Sequence, residues 1–161
     1  MQNYTIRTIL PGDNQALAKI IRDTLTEFNA AKPGSVYYDP TTDDLHKLFQ
    51  NERSRFYTAL IGNEIVGGAG IYPTDGLPDD VCELCKMYLV PSARGIGLGR
   101  TLIQKCVDTA REIGYKKIYL ESFNELTKAL SVYEKFGFKY LDAPFGNTGH
   151  YSCNKWMIME L

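Results

Sequence analysis

Apolar positions change rhythm along the chain, and each change marks an element. Tyr4–Ile9 predicts a first strand, and Pro11-Gly12-Asp13 a turn in which Asp13 or Asn14 is placed to cap a helix. Leu17, Ile20, Ile21, Leu25 and Phe28 then return at helical spacing, until Pro33-Gly34 breaks the pattern. Asp39-Pro40-Thr41-Thr42 leads into a second helix carrying Leu45, Leu48 and Phe49. Phe56–Ile61, the Gly62-Asn63 turn and Ile65–Tyr72 read as a hairpin. Glycines weaken a strand interior, so Gly67, Gly68 and Gly70 predict a bulge or a close backbone approach. A polar loop, Pro73–Asp80, precedes a strand over Cys82–Val90.

Beyond a glycine-rich loop, Leu98, Leu102, Ile103, Cys106, Val107 and Ala110 share one face of a helix that Gly114 ends. Lys117–Ser122 is a strand. Leu126, Leu130, Tyr133 and Phe136 mark a helix stopped by Gly137, and Phe138–Leu141 and Lys155–Leu161 close the chain as strands. The order is β-α-α-β-β-β-α-β-α-β-β. A meander followed by helix crossovers predicts an α/β (α+β) fold, with a mixed, mostly antiparallel twisted sheet and helices on both faces. The 161 residues suit a single domain spanning 1–161, and the chain carries no repeat, linker or low-complexity segment.

Composition narrows the function classes. A net charge of −1 gives no general pull toward nucleic acid or an anionic membrane, although Arg94, Arg100 and Lys105 form a potential local basic patch. The stretch MQNYTIRTIL lacks an apolar leader core, and no apolar run approaches the ~20 residues of a membrane span. A cytoplasmic location is the expectation. Cys82 and Cys85 form a C-x-x-C, but residues three apart on a strand point to opposite faces. With Cys106 on the apolar side of a helix, the expectation is reduced, structural thiols and no metal.

The densest chemistry lies in Leu89-Val90-Pro91-Ser92-Ala93-Arg94-Gly95-Ile96-Gly97-Leu98-Gly99-Arg100. Three glycines in five positions let backbone approach a bulky anion. The helix beginning there offers free N–H groups and the positive end of its dipole, and Arg94 a guanidinium fork for phosphate oxygens. The natural reading is a pyrophosphate cradle at a helix N-terminus, with a β-to-α turn that binds nothing as the alternative. A P-loop needs Lys-Ser or Lys-Thr after its last glycine, where Arg100-Thr101 stands here. A Rossmann turn needs G-x-G-x-x-G after a first strand, whereas this G-x-G-x-G lies past mid-chain.

Arg94, Gly97 and Gly99 match Arg/Gln-x-x-Gly-x-Gly/Ala, and Ala129 to Phe138 matches A-x-x-x-Y-x-x-x-G-F. In these two motifs, and in element order over most of its length, the chain resembles the GNAT N-acetyltransferase superfamily. The resemblance implies acetyl-CoA as acyl donor. It implies that the strand ending at Leu89 and Val90 splays from its neighbour to pair with the pantetheine arm, with a backbone N–H near Leu89 polarising the thioester. Arg94, Gly95, Ile96, Gly97, Leu98, Gly99 and Arg100 then receive the pyrophosphate, and Tyr133 is the acid for the departing thiolate. Glu83, six residues before Leu89 and so placed on the same strand face, resembles the glutamate that some family members use to deprotonate the amine, with a partly solvated strand-face residue as the plainer reading; Glu121 is the second choice. Many relatives carry asparagine where this chain has Leu126; the nearest asparagine is Asn124.

Tyr37, Tyr38 and Tyr72 are candidates to wall an acceptor pocket. His150, in the loop Pro144–Asn154, is either a proton shuttle or an exposed residue of a polar turn. Asp39, Asp43 and Asp44 hint at a cationic acceptor, with helix capping the plainer reading. The expected function is transfer of an acetyl group to a primary amine of a small molecule or exposed protein amine, by direct attack on the thioester. The alternative is a non-catalytic acyl-CoA-binding module. A nucleotide-dependent kinase lacks its lysine and acidic metal ligands. The C-terminal strand, read as an apolar edge strand, invites a homodimer contact.

Overall fold

The computed structural model describes residues 3–161; Met1 and Gln2, which open the stretch read for a leader, lie outside the described residues. Strands β1 (Tyr4–Thr8), β2 (Arg55–Ile61), β3 (Glu64–Tyr72), β4 (Val81–Leu89), β5 (Lys117–Ser122), β6 (Lys139–Leu141) and β7 (Lys155–Glu160) form one sheet in the order β1-β2-β3-β4-β5-β7-β6. Only β4 and β5 run parallel; the other neighbouring pairs are antiparallel. Helices α1 (Asn14–Glu27) and α2 (Leu45–Leu48) cover one face, where Leu17, Ile21, Leu25, Leu45, Phe49 and Phe56 pack. Helices α3 (Leu98–Ile113) and α4 (Thr127–Phe136) cover the other, over Leu84, Leu89, Leu102, Ile118 and Met157. The mixed, mostly antiparallel sheet between helices is the fold class expected, because each amphipathic helix must bury its stripe on one face of a two-faced sheet.

Several expectations need correction. β7 is not an edge strand: it lies between β5 and β6, and β6 pairs with its Trp156–Ile158. The second helix shrinks to Leu45–Leu48, preceded by 3₁₀ turns at Val36–Tyr38 and Pro40–Asp43. Asp13 does not cap α1. Its buried carboxylate accepts from Arg7 (2.7 and 3.0 Å), the Leu10 N–H (2.9 Å) and Thr58 (3.0 Å), clamping the turn onto β1 and β2.

The largest correction concerns β4. Gly68 pairs with Tyr88 and Gly70 with Cys85, so Ala69 alone faces both Lys86 and Met87. This is a β-bulge, with Lys86 in the left-handed region at φ 55°. It reverses the inward–outward alternation for the rest of the strand. Leu84, Met87 and Leu89 pack with the α3 core, while Cys85 and Tyr88 pack with the α1 core. Glu83 and Leu89 therefore lie on opposite faces, not the same one. The expected bulge beside the β3 glycines is present, and a Cβ on Gly67 would sit 2.1 Å from the Tyr88 carbonyl oxygen.

Candidate active site

β4 and β5 pair only at Val81–Lys117, Cys82–Ile118 and Glu83–Tyr119. Beyond Glu83 the two strands part, leaving one edge of β4 unpaired as far as Leu89. The Val90 N–H bonds back to Val66 on β3 (2.9 Å). Since N–H groups alternate sides along a strand, that of Leu89 points to the open edge. The Leu89 carbonyl, on the same side, accepts from Arg94 Nε at 3.0 Å.

The chain then turns through Pro91–Ala93 into the glycine loop. Gly95 and Gly97 have φ of 76° and 86°, and a Cβ on either would meet nothing within 4 Å. Glycine is required there by backbone conformation, and the surface above stays open. The first bond of the α3 ladder runs from the Thr101 N–H to the Gly97 carbonyl (3.0 Å), so the N–H groups of Leu98, Gly99 and Arg100 precede the ladder. No side chain caps them. An anion has free donors here.

Of the three basic residues here, Arg94 is taken up by a carboxylate, while Arg100 and Lys105 are exposed. Arg94 gives both terminal nitrogens to the Glu27 carboxylate (2.8 Å each) and lies 5.3 Å from the Phe28 ring. Its fork, expected to face phosphate, holds a carboxylate of α1 instead. Arg100 lies over Phe136 and Lys105 over Tyr57.

Tyr133 is buried against Met87, whose Sδ is its hydroxyl's one hydrogen-bond partner among the described residues, at 3.8 Å. A thioether is a weak acceptor. Burial raises the phenol above its ordinary value and keeps it protonated. Leu126, at the departure from the family pattern, precedes α4 without capping it; the backbone N–H of Asn124 bonds to Asn154 (2.9 Å).

On the α1 side, Glu83 is 6% exposed and its Oε1 accepts from the Thr74 hydroxyl at 2.6 Å. Burial pushes its carboxyl up to about 7, with Glu121 adding to the rise and the Thr74 bond opposing it. Tyr72 pairs with Glu83 across β3 and β4, its ring edge-on to Phe49 at 5.7 Å. Glu121 accepts from the hydroxyls of Tyr119 (2.7 Å) and Thr148.

The closing loop lies over this cluster. The Phe145 N–H bonds to the Tyr119 hydroxyl (3.0 Å), and the Asn147 N–H to the Asp75 carbonyl (2.7 Å). The Ser152 N–H bonds to the Gly34 carbonyl at 3.1 Å. His150 is not an exposed turn residue: its Nε2 lies 2.7 Å from Asp39 Oδ2, with 14% of its side chain exposed. Asp39 is a hub. Oδ2 also receives the buried Lys86 ammonium (3.3 Å), and Oδ1 receives the backbone and hydroxyl of Thr41 (2.9 and 2.7 Å). These donors, the His150 contact foremost, hold Asp39 well below the usual carboxylate range. Tyr38, Asp39, Thr148 and His150 line a cavity of about 300 Å³. Tyr37 packs its ring against that of Tyr38 at 5.0 Å, and its carbonyl accepts from Arg22. Asp44 caps α2, as the capping reading expects, whereas Asp43 caps nothing and pairs with Arg22.

Sequence reasoning missed Asp39 as a hub, and Lys86, Thr74 and Tyr119 altogether. A lysine inside a mostly apolar strand, three residues from Glu83, was a signal for Lys86. Tyr119 shares a strand face with Glu121, two residues on. Nothing in the polar loop marked Thr74. Among the described residues, no cluster of His, Cys, Asp or Glu could hold a metal, the four cysteines are unpaired, and no helix is long and apolar enough to cross a membrane.

The sequence model of the acetyltransferase (GNAT) family matches residues 17–138. Over 161 residues the chain is 37% identical to an uncharacterised N-acetyltransferase, YjgM, of Escherichia coli K12, covering 99% of this chain and 96% of that one. A GNAT-family acetyltransferase from Staphylococcus aureus Mu50 superposes with a TM-score of 0.84 at 21% identity, covering 99% of both chains. The PaiA N-acetyltransferase of Thermoplasma acidophilum, solved with coenzyme A, superposes at 0.77 and 17% identity, again over 99% of both. The chain belongs to the GNAT family of N-acetyltransferases, acyl-transfer enzymes whose donor is acetyl-CoA.

Proposed function

We propose that this protein transfers the acetyl group of acetyl-CoA to a primary amine, of a small molecule or exposed on a protein, by direct attack on the thioester. The observation that carries the proposal is the buried Glu83 carboxyl, raised to about 7 where β4 parts from β5. Acetyl-CoA supplies an activated acyl group. The N–H groups opening α3 bind its pyrophosphate, and the open edge of β4 pairs with its pantetheine arm.

An alkylammonium loses its proton near ~10.4, so the acceptor arrives charged. Glu83 takes that proton, directly or through one water, and is half-ionised near neutral pH. The free amine forms the new N–C bond. The Leu89 N–H faces the charge that develops on the carbonyl oxygen. As the C–S bond breaks, Tyr133 donates its proton to sulfur, and the second proton that the nitrogen sheds on becoming an amide restores the phenol, leaving free thiol and an N-acetyl product. The apolar surroundings that raise the phenol also raise a thiolate formed beside it, which narrows the gap for that transfer.

The test is incubation with acetyl-CoA and a broad panel of amines, read as free thiol. Amine-dependent release supports the proposal. Coenzyme A binding without release for any amine would overturn it and leave a binding module.

A further inference from the structure

Helix α1 walls the acceptor side, yet its last residue reaches the donor loop. Glu27 holds the terminal nitrogens of Arg94 in a two-bond fork, 2.8 Å each. The Phe28 ring lies 5.3 Å from the guanidinium carbon. The remaining Arg94 nitrogen, Nε, bonds to the Leu89 carbonyl at 3.0 Å. A planar guanidinium held at all three nitrogens has little freedom left. The Glu27 carboxyl is held below its ordinary value by Arg94, so the pair is ionised at neutral pH.

We infer that Glu27 is a positioning residue for the donor: acting through Arg94, it fixes the Leu89 carbonyl and the start of the glycine loop in the geometry that receives the carrier. Two features support this. Gly95 and Gly97 follow directly in the left-handed region, where nothing packs on the loop from above. And the carbonyl that Arg94 grips belongs to Leu89, the residue whose N–H faces the open edge of β4. Without the carboxylate, Arg94 keeps only Leu89 and a ring, and the loop must be ordered by the carrier itself, which lowers affinity.

The opposite relation is physically distinct. If Glu27 merely occupied a fork meant for phosphate, its removal would free Arg94 and tighten binding. The sign of the change decides between them.

The inference rests on the proposed acetyl-CoA binding. Coenzyme A titrations by calorimetry compare the wild type with Glu27→Gln, Glu27→Asp and, as a control on the same helix, Asp23→Asn, which breaks only an exposed pair with Lys19. The expected result is a Kd raised about fivefold or more in Glu27→Gln, with partial recovery in Glu27→Asp and none of the change in Asp23→Asn. KM for acetyl-CoA rises in parallel, while kcat at saturating donor stays within about twofold. Melting temperatures show that all variants are folded at the assay temperature. A tighter or unchanged Kd in folded Glu27→Gln overturns the inference. Failure of the wild type to bind coenzyme A overturns the functional proposal instead.

Discussion

Glu83 and Tyr119 face each other as the last paired residues of β4 and β5. Past them the sheet opens, so a buried carboxyl sits at the point where two parallel strands stop bonding. Burial raises it to about 7, which suits a base at neutral pH.

Replacing Glu83 with Gln keeps the shape and removes the base. Steady-state assays should show kcat reduced by about 10²- to 10³-fold. Coenzyme A affinity by calorimetry should stay within about twofold, because the side chain lies on the α1 side of the sheet.

The same group affects stability. Its folded value lies above its ordinary 4.5, so the folded state favours the protonated form. The stabilisation is fully present below pH 4.5 and lost as pH rises through about 7, at most about 3 kcal/mol. Denaturant unfolding from pH 5 to 8 should show this decline in the wild type and a flatter profile in Glu83→Gln.

Tyr133→Phe removes one hydroxyl whose protein partner is a thioether sulfur. Unfolding free energy should change by less than about 1 kcal/mol. Turnover should fall by about 10²-fold with coenzyme A binding retained. Unchanged turnover in the folded variant would remove Tyr133 from the chemistry.

Asp39→Asn takes the counter-charge from buried Lys86 and weakens the tie to His150. The expected cost is about 3 kcal/mol, read by denaturant unfolding at pH 7. Protease nicking within residues 144–154 should also become faster, since the loop loses its tie to the Asp39 segment.

Gly67→Ala drives a Cβ to within 2.1 Å of the Tyr88 carbonyl oxygen, at φ 150°. Neither a strand backbone nor its partner can yield cheaply there. Unfolding should show a loss of more than about 2 kcal/mol.

Much of the fold was legible because its signals are local. Helical spacing from Leu17 to Phe28 and from Leu98 to Ala110, and the stops at Gly114 and Gly137, needed no tertiary context. The same holds for the glycine loop, whose left-handed positions admit few other residues. What stayed hidden is relational. The bulge at Lys86 depends on which β3 residue each β4 residue faces, so spacing alone put Glu83 and Leu89 on one face. The position of β7 inside the sheet follows from strand order, which an apolar run does not encode. The Asp39 hub joins residues 39, 41, 86 and 150, and the Arg94 fork found its carboxylate 67 residues away on α1. Long-range partners of charged side chains leave no periodic trace in a sequence.

Glu83 as the base is the centre of this chemistry, and the pH dependence of amine-driven thiol release is its sharpest test. With an acceptor found in the amine panel, wild-type kcat/KM should rise with pH on a limb with an apparent pKa near 7, the value burial gives Glu83. That limb should vanish from the slow residual activity of Glu83→Gln. A Glu83→Gln variant with the wild-type rate and the same limb would contradict the account.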